Sequence, residues 1–103
     1  DVPVVTGNVT TEMAKNELVP FIGFIQQNRF WRAQIKQIHV TGKGELVLST
    51  LVGKQLIEFG TTRNMEQKFR NLRAFYDQVL ARNNWNRYSR INLKFDNQII
   101  AKK

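Results

Sequence analysis

The side chains in this sequence that could do covalent or metal chemistry are few and scattered. The chain has no cysteine and a single histidine, His39, so it lacks thiolate catalysis, cysteine-based metal sites and the ligands for a multi-histidine centre. The acids Glu45, Glu58 and Asp96 lie at predicted strand ends and turns, and no spacing pairs two of them for acid–base catalysis. We therefore expect solvated carboxylates, no cofactor, no small-molecule substrate and no enzymatic activity.

Basic residues are concentrated in the second part of the chain. The net charge is +8, and from Arg63 onward ten Lys or Arg face only three acids. On the predicted second helix, however, Glu66 precedes Arg70 and Arg73 precedes Asp77 by four residues, which is typical of a solvated mixed-charge face. A more one-sided segment follows, which we consider a possible secondary binding surface: Trp85, Arg87, Tyr88 and Arg90. Binding of nucleic acid or another polyanion is thus the alternative function, although the mixed-charge helix argues against nucleic acid.

The elements that must position these residues fit one domain, residues 1–103. Hydrophobic residues make up 42% of the chain, enough for one core. No apolar run is long enough to span a bilayer, and the start lacks the pattern of an export signal. We expect the segment as given neither to cross a membrane nor to carry its own signal.

The first half reads as a strand, a helix and a three-stranded meander. An edge or entry strand is predicted up to Gly7, followed by a helix from Thr11 to Gln27 with a kink or break near Val19, because Pro20 cannot donate a helical hydrogen bond. Strands then run from Ala33 to Phe59, and the short connectors containing Gly42 to Gly44 and Gly53 favour antiparallel hairpins. The Gly-Lys-Gly connector lacks the spacing of a phosphate-binding loop, so a hairpin turn is the interpretation.

The second half predicts a helix and a final hairpin. Apolar residues from Met65 to Leu80 recur at helical spacing, which indicates a helix from Asn64 to Ala81 lying on the sheet. A strand from Ile91 to Phe95, a turn at Asp96 and Asn97, and a last strand from Gln98 to Lys102 follow. The fold class is α+β: an antiparallel sheet of about six short strands with two helices, one of them packed on a sheet face and the first nearer one end.

The last strand has only one obvious neighbour, so its other side presents unpaired backbone groups. Ile99 and Ile100 are consecutive, and one of them must face away from the helix layer. Two interpretations stay open: an edge that accepts a partner strand, or an edge that Lys102 and Lys103 protect from aggregation.

The ordered set of these segments resembles the C-terminal β domain of the bacterial cell-division family FtsQ, also called DivIB, in its Bacteroidetes form. The resemblance covers nearly the whole chain and rests on these segments: Val2 to Gly7, Phe30-Trp31 through Gln37 to Val40, Glu45 to Leu48, Ile57 to Gly60, Lys68 to Leu72, Phe75-Tyr76, Trp85 to Tyr88, and Ile91 to Lys102.

The resemblance implies a divisome scaffold rather than an enzyme. Proteins of this family carry a transmembrane helix and a POTRA domain ahead of the β domain, which would lie on the periplasmic side of the inner membrane at the division septum. It implies binding of FtsB and FtsL, with a strand of FtsB added beside the last strand, and help in assembling the septal cell-wall synthesis machinery.

Carried over by position, the implied partner-binding residues are Lys94, Phe95, Asp96, Asn97, Gln98, Ile99, Ile100, Ala101 and Lys102. Lys94 would attract acidic side chains of the partner. Phe95 stands where the family often has tyrosine, so a hydrogen bond from that position is lost here.

Overall fold

The computed structural model describes residues 2–51, 55–81, 88–95 and 99–103, with only the backbone described at 80 and 81. Within these ranges the strands are β1 (Val4–Gly7), β2 (Ile35–Val40), β3 (Leu46–Thr50), β4 (Leu56–Gly60), β5 (Arg90–Asn92) and β6 (Ile100–Lys102). They form one six-stranded sheet in which sequence order and spatial order are the same. The α+β fold class is therefore confirmed.

The prediction of a wholly antiparallel sheet is wrong. β1 pairs with β2 and β4 pairs with β5 in parallel, whereas β2–β3, β3–β4 and β5–β6 are antiparallel. In each parallel pair a helical segment links the two strands. Such a crossover returns the chain to the end of the sheet at which the previous strand began, so the next strand runs in the same direction. The short connectors of the central meander give antiparallel neighbours as expected.

The first helical segment is continuous but changes its hydrogen-bond pattern ahead of Pro20. It consists of α1 (Thr11–Met13), a π-helical turn (Ala14–Leu18) and α2 (Val19–Gln27). The Val19 N–H donates to the carbonyl of Ala14, five residues back, while Leu18 and Val19 keep helical backbone angles. No break occurs near Val19: the helix continues through Pro20, and its irregularity is the π-helical turn immediately before Val19.

A separate helix, α3 (Arg29–Gln34), was not predicted. Asn28 has an extended backbone and ends α2, and its side-chain oxygen accepts a hydrogen bond from the Trp31 N–H at 3.1 Å. This cap starts a new helix and turns Trp31 into the core, where 2% of its surface is exposed.

The longest helix, α4 (Met65–Ala81), contributes Phe69, Leu72 and Tyr76 to the core, as its periodicity predicted. Phe69 lies within ring-contact distance of Phe21 on α2 and of Phe59 on β4, at 5.5 and 4.9 Å between centroids. The helices therefore meet over one face of the sheet, around an aromatic cluster: Phe21, Phe24, Trp31, Phe59, Phe69 and Tyr76.

Two glycines adopt positive φ next to strands, one at a close backbone approach and one in a turn. Gly7 has φ +97°, and a Cβ there would collide with the carbonyl oxygen of Val40 on β2. Gly44 has φ +78° in the β2–β3 connector, where the Thr41 hydroxyl accepts hydrogen bonds from the N–H groups of Lys43 and Glu45. The second arrangement is a hairpin turn, as the sequence indicated.

Burial of Tyr76 predicts a loss of stability at alkaline pH. Burial raises the pKa of its phenol to about 12 from 10.0, partly offset by a hydrogen bond with the Thr50 side chain. The neutral phenol's stabilisation is complete below about pH 10 and is lost as the pH rises toward about 12, because the unfolded chain ionises first. We expect the free energy of unfolding to fall over that interval by about 3 kcal/mol more than in Tyr76→Phe. Denaturant unfolding at a series of pH values measures this, and parallel curves for the two proteins would contradict it.

Candidate functional site

The last strand, β6, forms one edge of the sheet, as predicted. It pairs with β5 alone, in the register Arg90 with Lys102, Ile91 with Ala101 and Asn92 with Ile100. The strand spans Ile100–Lys102 and is thus shorter than the predicted range from Gln98. Gln98 and the predicted turn at Asp96 and Asn97 lie outside the described residues.

The hydrogen bonds of β5 decide which backbone groups of β6 face the open side. The Ser89 N–H donates to the Lys102 carbonyl at 2.7 Å, so Lys102 directs its backbone toward β5. On the other side of β5, the Leu93 N–H donates to the Glu58 carbonyl of β4 at 2.9 Å, which leaves Asn92 to face Ile100. Because successive residues of a strand direct their backbone groups to opposite sides, the N–H and C=O of Ala101 face the open edge.

The two consecutive isoleucines separate as the sequence required. Ile99 packs against the core on the helix side, beside Phe75 of α4. Ile100 lies opposite Asn92 on the other face of the sheet and is half-buried. An apolar side chain therefore flanks the open edge on each face.

β5 ends earlier than predicted because a side chain ends it. The Asn92 side-chain oxygen accepts a hydrogen bond from the Lys94 N–H at 2.8 Å, an Asx turn that takes the chain out of the ladder. Lys94 and Phe95, assigned to the strand from the sequence, follow the turn, and 55% of Phe95 is exposed.

Lys94 is directed away from the β6 edge. Its Nζ lies 3.1 Å from the Oε1 of Glu45, at the start of β3. To reach it, the side chain passes over the end of β4 at Gly60, where a Cβ would come within 3.2 Å of the Lys94 Cγ. The positive charge that the sequence assigned to partner attraction is thus paired with an acid beside β3, three strands away from the edge strand β6.

Arg90, a basic residue of the predicted secondary surface, is also paired with an acid. The Arg90 guanidinium lies 2.7 Å from Glu58, whose side chain is 20% exposed. Glu45 and Glu58 are thus partly exposed carboxylates, each of which is also paired with a nearby cation. Tyr88 is half-buried, with its ring 5.6 Å from that of Phe75, whereas Trp85 and Arg87 lie outside the described residues.

Near the edge itself, Lys102 and Lys103 are exposed, and neither forms an ion pair with a described residue. Sequence reasoning missed two parts of the site. The first is the outward direction of Ala101, which required the register of β5. The second is the flank of α4 beside Ile99, formed by Asn71, Ala74, Phe75 and Gln78.

The titratable groups of the described residues do not converge on one site. Among the described residues, no group of three or more His, Asp or Glu side chains could hold a metal ion. His39 lies on the exposed face of β2, with its Nδ1 3.0 Å from the Thr6 hydroxyl of β1. Nearby, the Gln37 amide donates to the same hydroxyl at 3.4 Å, so these groups stabilise the β1–β2 pairing.

The structure is a small α+β domain with a mixed six-stranded sheet and an open edge at β6, and a family comparison identifies its family. The model of the FtsQ/DivIB, C-terminal related family matches residues 1–102. The chain belongs to this family, which is a family of non-enzymatic division scaffolds. No curated protein sequence matches the chain. Within the described residues, no helix has the length and apolar character needed to span a bilayer.

Proposed function

We propose that this domain is a non-enzymatic divisome scaffold that binds FtsB, together with FtsL, by addition of an FtsB strand to β6. The observation that carries the proposal is the direction of the Ala101 N–H and C=O toward the open edge of a sheet in an FtsQ/DivIB domain. Strand addition takes its affinity from such backbone groups and its selectivity from the side chains beside them.

The charges near the edge favour an acidic partner segment. Lys102 and Lys103 lie at the end of β6, whereas Lys94 and Arg90 are paired with Glu45 and Glu58. Attraction by the terminal lysines would increase the association rate more than the affinity, and salt would screen it. In the cell the domain would act on the periplasmic side of the inner membrane at the septum, where it would help assemble the cell-wall synthesis machinery.

Amide exchange measured by NMR tests the proposal directly. The probe is a peptide from the membrane-proximal extracytoplasmic region of the same organism's FtsB. We expect it to slow exchange of the Ala101 amide, which faces the open edge, while the Ile91 amide inside the sheet is the internal reference. Binding that leaves Ala101 exchange unchanged, with shifts at Tyr88 and Arg90 instead, would move the partner to the basic surface and overturn strand addition.

A further inference from the structure

One apolar row crosses the whole sheet on the face that the helices cover, and it ends at β6. The register of the strands places its members side by side: Val5, Ile38, Leu48, Ile57, Ile91 and Ala101. The four residues from Ile38 to Ile91 are buried to 1% exposure or less. The row thus passes from large aliphatic side chains to a single methyl group at the open edge.

A cleft of about 410 Å³ lies between α4 and Ile99, the residue that precedes β6 and projects to the same face of the sheet as Ala101 two positions later. It is lined by Asn71, Ala74, Phe75, Gln78 and Ile99. Phe75 and Ile99 are partly buried against the core, whereas Ala74 and Gln78 are exposed. The cleft therefore has an apolar inner wall and a rim of neutral amides.

A strand added to β6 would reach this cleft with one side chain in particular. The residue opposite Ala101 projects to the same face as Ala101, and directly opposed residues have their Cβ atoms about 5 Å apart. Because Ala101 has only a methyl group, its side chain does not fill the space between β6 and α4, and that space remains for the side chain of the opposing residue on the added strand. The side chain opposite Ala101 would continue the row and contact Phe75.

We infer that the partner strand places a large uncharged aliphatic or aromatic side chain opposite Ala101, in the cleft between β6 and α4. The inference rests on the proposed function and specifies the side chain that would anchor the added strand. None of the described residues that line the cleft is charged, so a charged side chain beside them would lose hydration without a countercharge from this wall. A leucine- to phenylalanine-sized group would instead bury apolar surface against Phe75 and Ile99.

Filling the cleft tests the inference without disturbing the core. Gln78 is exposed and lines the cleft, so Gln78→Trp should occupy it from the helix side. The matched control is Gln67→Trp, an exposed glutamine eleven residues earlier on the same helix, about 16 Å away along its axis. We expect the FtsB peptide to bind Gln78→Trp at least about tenfold more weakly, and Gln67→Trp as tightly as the unmodified domain.

A second readout locates the anchoring side chain. In the domain labelled at alanine methyl groups, intermolecular contacts from one apolar peptide side chain to both Ala74 and Ala101 are expected. If both tryptophan variants bind the peptide equally tightly and the peptide still protects the Ala101 amide, the partner side chain does not occupy the cleft. Strand addition to β6 would then remain supported. If the peptide does not slow exchange of the Ala101 amide in the unmodified domain, both the cleft and strand addition are overturned.

Discussion

Phe69→Ala is expected to lower the free energy of unfolding by about 3–5 kcal/mol, the range for removing a large aromatic side chain from a core. Phe69 is 1% exposed, and its ring contacts those of Phe21, Trp31 and Phe59 at centroid distances of 5.5, 5.2 and 4.9 Å. These partners belong to α2, α3 and β4, so the cavity would open where the helices meet the sheet. Denaturant unfolding followed by circular dichroism measures the loss.

The matched control is Phe95→Ala, which removes the same atoms from a side chain that is 55% exposed. We expect that change to alter stability by no more than about 0.5 kcal/mol, as surface substitutions usually do. If the two substitutions cost the same, Phe69 does not hold the helices on the sheet and the packing described for α4 is incorrect.

The elements whose signals are local could be predicted from the sequence. The spacing of Phe69, Leu72 and Tyr76 predicts the buried face of α4. The two glycines of the β2–β3 connector predict the hairpin. The direction of β1 and β5 is not local, since it depends on which strand each one meets after a helical connection. α3 was missed because its six residues give too short a period, and its only early sign is a capping asparagine at position 28.

The candidate site divides in the same way. Its position at the last strand follows from counting strands, and the family resemblance points to the same strand. The resemblance could not give the direction of the Lys94 side chain, because Glu45 precedes it by about half the chain and no periodicity connects them. Nor could the pattern reveal Lys68, a buried lysine whose Nζ donates to the carbonyls of Phe59 and Thr61 at 3.1 and 2.9 Å. From sequence alone a charged residue is predicted to lie at the surface, and only the structure shows the partner that allows its burial.

The direction of Ala101 leads to the second large effect, on partner binding. Ala101→Pro removes the N–H that faces the open edge and puts a ring in the place of the incoming strand. Edge strands tolerate proline where the N–H faces solvent, so the β5–β6 pairing should persist. We expect the FtsB peptide to bind at least about tenfold more weakly, since one lost backbone hydrogen bond and a steric clash together exceed about 1.4 kcal/mol. Isothermal titration calorimetry measures the affinity.

Ile100→Pro gives the contrasting control one residue away. The Ile100 N–H faces Asn92 inside the sheet, so proline there removes a bond of the hairpin itself and should destabilise β6 before any partner is added. Amide exchange at Asn92 in the absence of peptide distinguishes the two variants: protection is kept in Ala101→Pro and lost in Ile100→Pro. Full affinity in a folded Ala101→Pro domain would mean that the partner does not pair with this edge, because no strand can be added beside β6 without the Ala101 donor and the space that proline fills.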